Sequence, residues 1–285
     1  MLLPVALFYL LFHYGPMYGV QLAFKDFKAL LGIAGSPWAG LKYFNQFFNS
    51  PFFSRVVTNT VTISGLSLLF GFPVPILLAL MLNEVKGSAY KKTVQNVTYI
   101  PHFLSTVVLV GLIRSFTNND YGIVNILIRA LGGQGTNWLQ RVDWFRRLYV
   151  GSSIWQNAGW DSIIYIAALS GVDPQLHESA RMDGANRFQC VWHINIPGIT
   201  PTIVILLILN SGHIMSVGFE KAFLMQNDLN LAVSDIIATY AYRIGIETSQ
   251  FSLSTAIGLF NSVINCTLLL LVNAISRRVG ETSLW

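Results

Sequence analysis

Of the 285 residues, 53% are hydrophobic and only 11% charged, with a mean hydropathy of +0.53, whereas an ordinary soluble domain carries roughly 25% charged residues. In water such a chain would expose large aggregating patches, so composition excludes a soluble globular protein and points to lipid as the solvent. The net charge of +5 comes from Lys and Arg in short clusters between apolar runs, a distribution suited to anionic headgroups and not to nucleic acid.

A membrane-crossing helix needs roughly 20 mostly apolar residues, and the chain offers six such stretches. The first, Leu2–Phe24, contains Gly15 and Pro16. It has no basic residue before Lys25, so it reads as a retained helix and not as a cleaved signal. Its opening directly on apolar sequence leaves room for residues upstream of Met1. The second, Val56–Leu82, carries Pro73 and Pro75; the third is Val94–Phe116, the fourth Leu148–Gly171, the fifth Ile199–Phe219 and the sixth Phe251–Ile275. Buried glycines and prolines are tolerated where neighbouring helices satisfy the freed backbone groups. A β-barrel is excluded because runs such as Ile203–Leu209 do not alternate in polarity. The expectation is an all-α polytopic membrane protein of about six helices, a single transmembrane domain over 1–285.

With the N-terminus inside, seven basic residues fall on the inner segments (Lys86, Lys91, Lys92, Arg181, Arg187, Arg277, Arg278) and ten on the outer ones. The inner segments are about half as long, and short loops weigh more in setting orientation, so both termini are placed on the cytoplasmic side. The outer segments 25–55, 117–147 and 220–250 hold Trp38, Tyr43, Trp138 and Trp144 and are expected to form short interfacial helices.

The segment 173–197 is the most informative. Pro174 suits the first turn of a helix, Asp183-Gly184 breaks it, and Phe188, Val191, Trp192 and Ile196 recur at helical spacing in a second short helix that Pro197 is expected to end. Periodicity alone fits an interfacial connector. The residues say more: Glu178-Ser179-Ala180, Asp183-Gly184-Ala185, and then Ile194-x-Ile196-Pro197 resemble the "EAA" loop of ABC-importer permeases. The family pattern there is Glu-Ala-Ala, after three intervening residues Gly, and then Ile-x-Leu-Pro; Ser179 and Ile196 are mild departures. Trp155 to Trp160 and Ile166-Ala-Ala-Leu are similar to carbohydrate-type permeases of the maltose-type superfamily. Tyr14 to Gly19, Ala23 to Phe27, Asn83-Glu-Val, Tyr99 to Phe103 and Ser283-Leu-Trp285 resemble its oligosaccharide or polysaccharide (alginate-like) subgroup.

The resemblance implies an ABC type I importer permease in a bacterial cytoplasmic membrane, with a core five-helix unit at 56–275 and a cytoplasmic coupling loop at 173–197. Glu178, Ser179, Ala180, Asp183, Gly184, Ala185, Arg187 and Pro197 would contact the ATPase. The partners implied are a second homologous permease, two ABC ATPases carrying ATP and Mg, an extracytoplasmic solute-binding protein and a carbohydrate substrate. No cofactor is expected in this chain: it has no Gly-Lys dipeptide and so no Walker A loop. Leu131 to Gly135 looks like the ABC signature peptide but lacks its Ser and reads as a Gly-rich turn. His13, His102, His177, His193 and His213 have no metal or catalytic spacing, nor do Cys190 and Cys266, so no enzyme is expected.

Charged groups inside spans usually face a cavity or a partner. Asp161 is the clearest, and Arg114 lies near the end of the third span. Asn157, Asn210, His213, Asn261 and Asn265 are candidate path residues, and Trp155, Trp160, Tyr165 and Tyr240 candidate stacking platforms for sugar rings. Interhelical hydrogen bonding and interfacial anchoring compete for the same residues. Arg141, Arg146 and Arg147 could meet an acidic saccharide or an acidic binding protein. The alternative, an ion-coupled secondary transporter, would need several intramembrane acidic residues; only Asp161 is evident.

Overall fold

The computed structural model describes residues 2–279; the Ser283-Leu-Trp285 resemblance lies outside them. No strand is assigned among these residues beyond an isolated bridge between Lys25 and Trp38. Helix α1, Leu2–Phe24, stands largely away from the rest, its first eight residues burying nothing. After the short helix α2, Lys42–Phe48, comes α3, Phe53–Glu84, of 32 residues. At 1.5 Å per residue it is about 48 Å long, more than the ~30 Å hydrocarbon core requires. It passes Pro73 without breaking because the π turn Ser67–Gly71 widens the coil just before it, relieving the clash and the missing donor that proline imposes.

The predicted third span is not one rod. It divides into α4, Ser88–Phe103, and α5, Thr106–Phe116, at an angle of 102°. Pro101 tightens the end of α4 into a 3₁₀ turn, Leu104 is extended, and Ser105 restarts the helix by accepting the Val108 N–H. The freed Leu104 carbonyl takes a 2.9 Å bond from Gln156 Nε2, so a neighbouring helix satisfies the break. That neighbour is α7, Val142–Ser170, 29 residues long, which follows the short α6, Ile123–Ala130. It lies against the second half of α3 and against α4. Contact with α4 is close at Gly159, where a Cβ would sit 2.1 Å from the Thr98 carbonyl oxygen.

Helix α8, Pro174–Met182, turns back along the end of the bundle, and α9, Arg187–Ser211, returns through it. The predicted fifth span is therefore displaced: it begins at Arg187, and residues 212–218 are not helical. Pro197 does not end the helix. The π turn Val191–Asn195 precedes it and accommodates its ring as the first π turn does for Pro73. The second short helix predicted from the sequence is thus the foot of α9. Then follow α10, Phe219–Met225; α11, Ile237–Tyr242; and α12, Phe251–Val279.

Two of the three apolar clusters lie at the loop-rich end, one around Phe145, Met225 and Ile236, the other around Phe47, Tyr240 and Ile257. The third, with Ala79, Leu169 and Ile199, anchors the end that carries α8. The segments 25–55, 117–147 and 220–250 do contain short helices, tied by buried polar hubs. Asn125 donates to the Asn118 and Thr136 carbonyls at 2.8 Å each and accepts from Trp138 Nε1 at 2.9 Å. Gly132, within the Gly-rich run, takes φ +83° in a turn after α6.

Candidate functional sites: a central cavity and an end loop

A cavity of ≈ 420 Å³ opens between α3, α7 and the α9–α10 junction. Its polar wall comes from one stripe of α7, where Ser153, Asn157, Asp161 and Tyr165 follow each other at i, i+4 and so share a face. Opposite stand Ser64 and Ser67 of α3, and Asn210 and His213 close a third side. Ser64 Oγ is buried without a hydrogen-bond partner among the described residues. Asn157 is oriented from behind: its Oδ1 lies 3.1 Å from His102 Nδ1, and the His102 ring stacks on Trp160 at 4.6 Å and 3°. A wall of hydroxyls, amides and one carboxylate over apolar flanks matches a polyhydroxylated ligand, which brings donors, acceptors and C–H faces together.

Of the ten sequence candidates for a path, Asn157, Asp161, Tyr165, Asn210 and His213 share this cavity. The other five are elsewhere. Asn265 accepts from the Met215 N–H at 2.9 Å and donates to Ser216 Oγ at 2.9 Å, fixing the α9–α10 turn. Asn261 is on α12, and Tyr240 is buried against Phe47 and Phe52. Trp155 and Trp160 are exposed outside the cavity lining. The candidate arginines are engaged within the chain: Arg141 with Asp143 at 2.6 Å, Arg146 with Asn59 Oδ1 at 3.0 Å, Arg147 over the Trp144 ring. Arg114 donates to the Leu224 carbonyl. Sequence reading missed Ser64, Ser67 and Ser153; the register of Ser153 with Asn157 and Asp161 was its available signal.

The second site is the α8–α9 loop. Asp173 caps α8 by accepting the Gln175 N–H at 2.9 Å, with Pro174 in the first turn. At the other end Gly184 adopts φ +83°, its N–H reaching Arg181 O at 3.1 Å while the Ala185 N–H reaches Ala180 O at 2.9 Å. These two bonds form a Schellman closure, which needs a left-handed residue in that place. Asn186 and Gln189 then cap α9 reciprocally, at 2.8 and 2.9 Å. A cleft of ≈ 240 Å³ lies in the bend, lined by Ala180, Asp183, Gly184, Ala185, Gln189 and His193. Glu178, Ser179, Arg187 and Pro197 are exposed around it. So are Leu176, Met182 (89% exposed), Phe188 and Trp192.

Long apolar helices around a polar cavity, with a rigid capped bend at one end, define a multi-pass membrane permease. The chain belongs to the family of binding-protein-dependent transport system inner membrane components, whose profile matches residues 71–281. It is 45% identical over 285 residues to the polygalacturonan/rhamnogalacturonan transport system permease protein YteP of Bacillus subtilis strain 168, covering 100% of this chain and 89% of that one. It superposes on a chain of a bacterial ABC transporter involved in the import of the acidic polysaccharide alginate, with a TM-score of 0.92 and 44% identity, covering 98% and 94% of the two chains. A chain of a bacterial alginate ABC transporter in complex with an alginate pentasaccharide-bound periplasmic protein gives a TM-score of 0.92 and 43% identity, covering 100% and 95%. The protein is thus a membrane subunit of an ABC importer, and the importer expectation stands over that of an ion-coupled transporter.

Proposed function

We propose that this chain forms half of the pathway of an importer for acidic oligosaccharides and that its α8–α9 loop receives the stroke of a partner ATPase. The observation that carries the coupling role is the capped bend with its apolar side chains bare: Leu176, Met182, Phe188 and Trp192 are exposed at the end of the bundle. Exposed apolar clusters on a rigid, polar-rimmed element mark a protein contact. Residues 173–197 are the coupling loop in this reading. Glu178 accepts charge-assisted hydrogen bonds from the ATPase, and Ala180, Gly184 and Ala185 let it approach closely. ATP and Mg belong to that partner. A second permease and an extracytoplasmic binding protein complete the assembly, consistent with the periplasmic protein in the similar complex.

The cavity holds the saccharide. Asp161 and Tyr165 accept and donate to its hydroxyls, with Asn157, Asn210 and His213 around it. The acidic class rests on the relatives, which carry polygalacturonan and alginate. Both termini are cytoplasmic in this reading: α1 and α12 meet the loop-rich end at Lys25 and Ser252, bonded at 2.7 Å, and run from it toward the end that carries α8. Reconstituted with its partners in proteoliposomes, the protein is expected to take up labelled uronate oligosaccharides with ATP hydrolysis. Glu178→Ala or Gly184→Val should lower both while membrane levels hold; unchanged turnover in the two variants would overturn the coupling role.

A further inference from the structure

Lys221 is 7% exposed, at the mouth of α10, three residues beyond Gly218 of the cavity wall. Its Nζ donates to Ser153 Oγ at 2.6 Å and to the Tyr149 carbonyl at 3.0 Å, and it sits over the Tyr149 ring at 4.8 Å. Ser153 and Tyr149 both line the cavity. An ammonium has three protons to donate, and these two neutral acceptors use two. No carboxylate lies within ion-pair distance of Lys221 among the described residues, although Asp26, Asp143 and Asp235 all have such partners. Burying a lone ammonium is costly, and a tie between α10 and α7 could be made by a neutral side chain. The charge itself is left without an internal purpose.

We infer that Lys221 is the residue that reads the substrate's carboxylate, so that the cavity prefers acidic over neutral saccharides. The inference rests on the proposed role of the cavity as the saccharide site. The one carboxylate in the lining does not oppose it. Asp161 is eight residues from Ser153 along α7, about 12 Å at 1.5 Å per residue. The cavity is therefore polarised: at one end Ser153 lines it with the Lys221 ammonium directly behind, 2.6 Å from Ser153 Oγ, to receive a uronate carboxylate, and at the other Asp161 accepts from hydroxyls. Burial pushes Lys221 down to about 7, and an arriving carboxylate would restore its charge at the moment of binding.

The test compares uptake of a uronate oligosaccharide and of a neutral oligosaccharide of equal length by the assembled transporter in proteoliposomes. Lys221→Gln keeps an amide donor for Ser153 but no charge; it should lower the acidic-to-neutral uptake ratio by about tenfold or more, the scale of a lost charge-assisted hydrogen bond. Lys221→Arg should retain most of the ratio. Should Lys221→Gln not assemble, Lys221→Met supplies the uncharged comparison. Equal loss of both substrates, or an unchanged ratio, would reduce Lys221 to a structural tie and overturn the inference. A wild-type transporter that carries only the neutral saccharide would overturn the proposed substrate class instead.

Discussion

Arg243 Nη2 meets Asp235 Oδ2 at 2.6 Å, and the same oxygen takes Arg55 Nη2 at 3.0 Å, with Asp235 wholly buried. One carboxylate thus clamps the start of α3 to the segment that opens α11. Thr239 Oγ1 and Asn59, the latter through the Asp235 carbonyl, complete its surroundings. Removing the acid leaves two guanidinium groups without their counter-charge, which costs about 3–5 kcal/mol for a buried pair. Asp235→Ala is expected to lower the Tm of the detergent-solubilised protein sharply. Arg55→Met should lower it less, because Arg243 remains paired.

Gly159 and Gly151 lie on the same helix and make opposite predictions. A Cβ on Gly159 would lie 2.1 Å from a backbone oxygen of α4, whereas one on Gly151 meets nothing within 4 Å. Small residues let membrane helices approach this closely, and overpacking typically costs about 1–3 kcal/mol. Gly159→Ala should therefore destabilise by at least that range. Gly151→Ala should be neutral or slightly stabilising, since alanine is the better helix former by about 1 kcal/mol. Thermal unfolding of the two variants side by side separates them.

Gly184 has open space around it but φ +83°. The penalty of a side chain there is conformational and not steric, about 1–2 kcal/mol for a left-handed L-residue. Gly184→Asn, which tolerates that region best, should keep more coupled ATP hydrolysis than Gly184→Val. If the two were equally impaired, loss of the bend would not be the cause.

The pH dependence of stability follows from Lys221. Its folded-state value falls from 10.5 to about 7 through burial. Between those values the unfolded chain binds the extra proton, so stability rises with pH across the window. Below about pH 7 both states are charged and the folded state bears the full desolvation cost. Relative to Lys221→Met, the wild type should therefore gain Tm between pH 7 and pH 9. A constant difference across that window would show that Lys221 keeps its charge when buried.

At the loop-rich end, Tyr43 Oη donates to Asp26 Oδ1 at 2.6 Å. Burial and the neighbouring carboxylate push Tyr43 up to about 12, and the Tyr43 bond, helped by Lys42, holds Asp26 below its ordinary value. Tyr43→Phe should cost about 1 kcal/mol, the net worth of one hydrogen bond, and should return the Asp26 titration toward its ordinary value by NMR.

The sequence by itself determined the solvent, the helical class, the approximate spans and the bend at Gly184. These depend on local chemistry: apolar length, capping residues, and a glycine where only a left-handed turn closes. It also named Asn157, Asp161 and Tyr165, whose four-residue intervals put them on one face of any helix; Ser153, one interval earlier, carried the same signal and was passed over. Tertiary structure alone decided which path candidates meet. Asn265 and Tyr240 are as polar or aromatic as Asn157 and Tyr165, but they face other neighbours, and no local signal records that. The 102° break at Leu104 was equally hidden, because its stability depends on Gln156, 52 residues away. So was the burial of Lys221: a lysine in a segment expected to lie between spans reads as solvated until α7 closes over it.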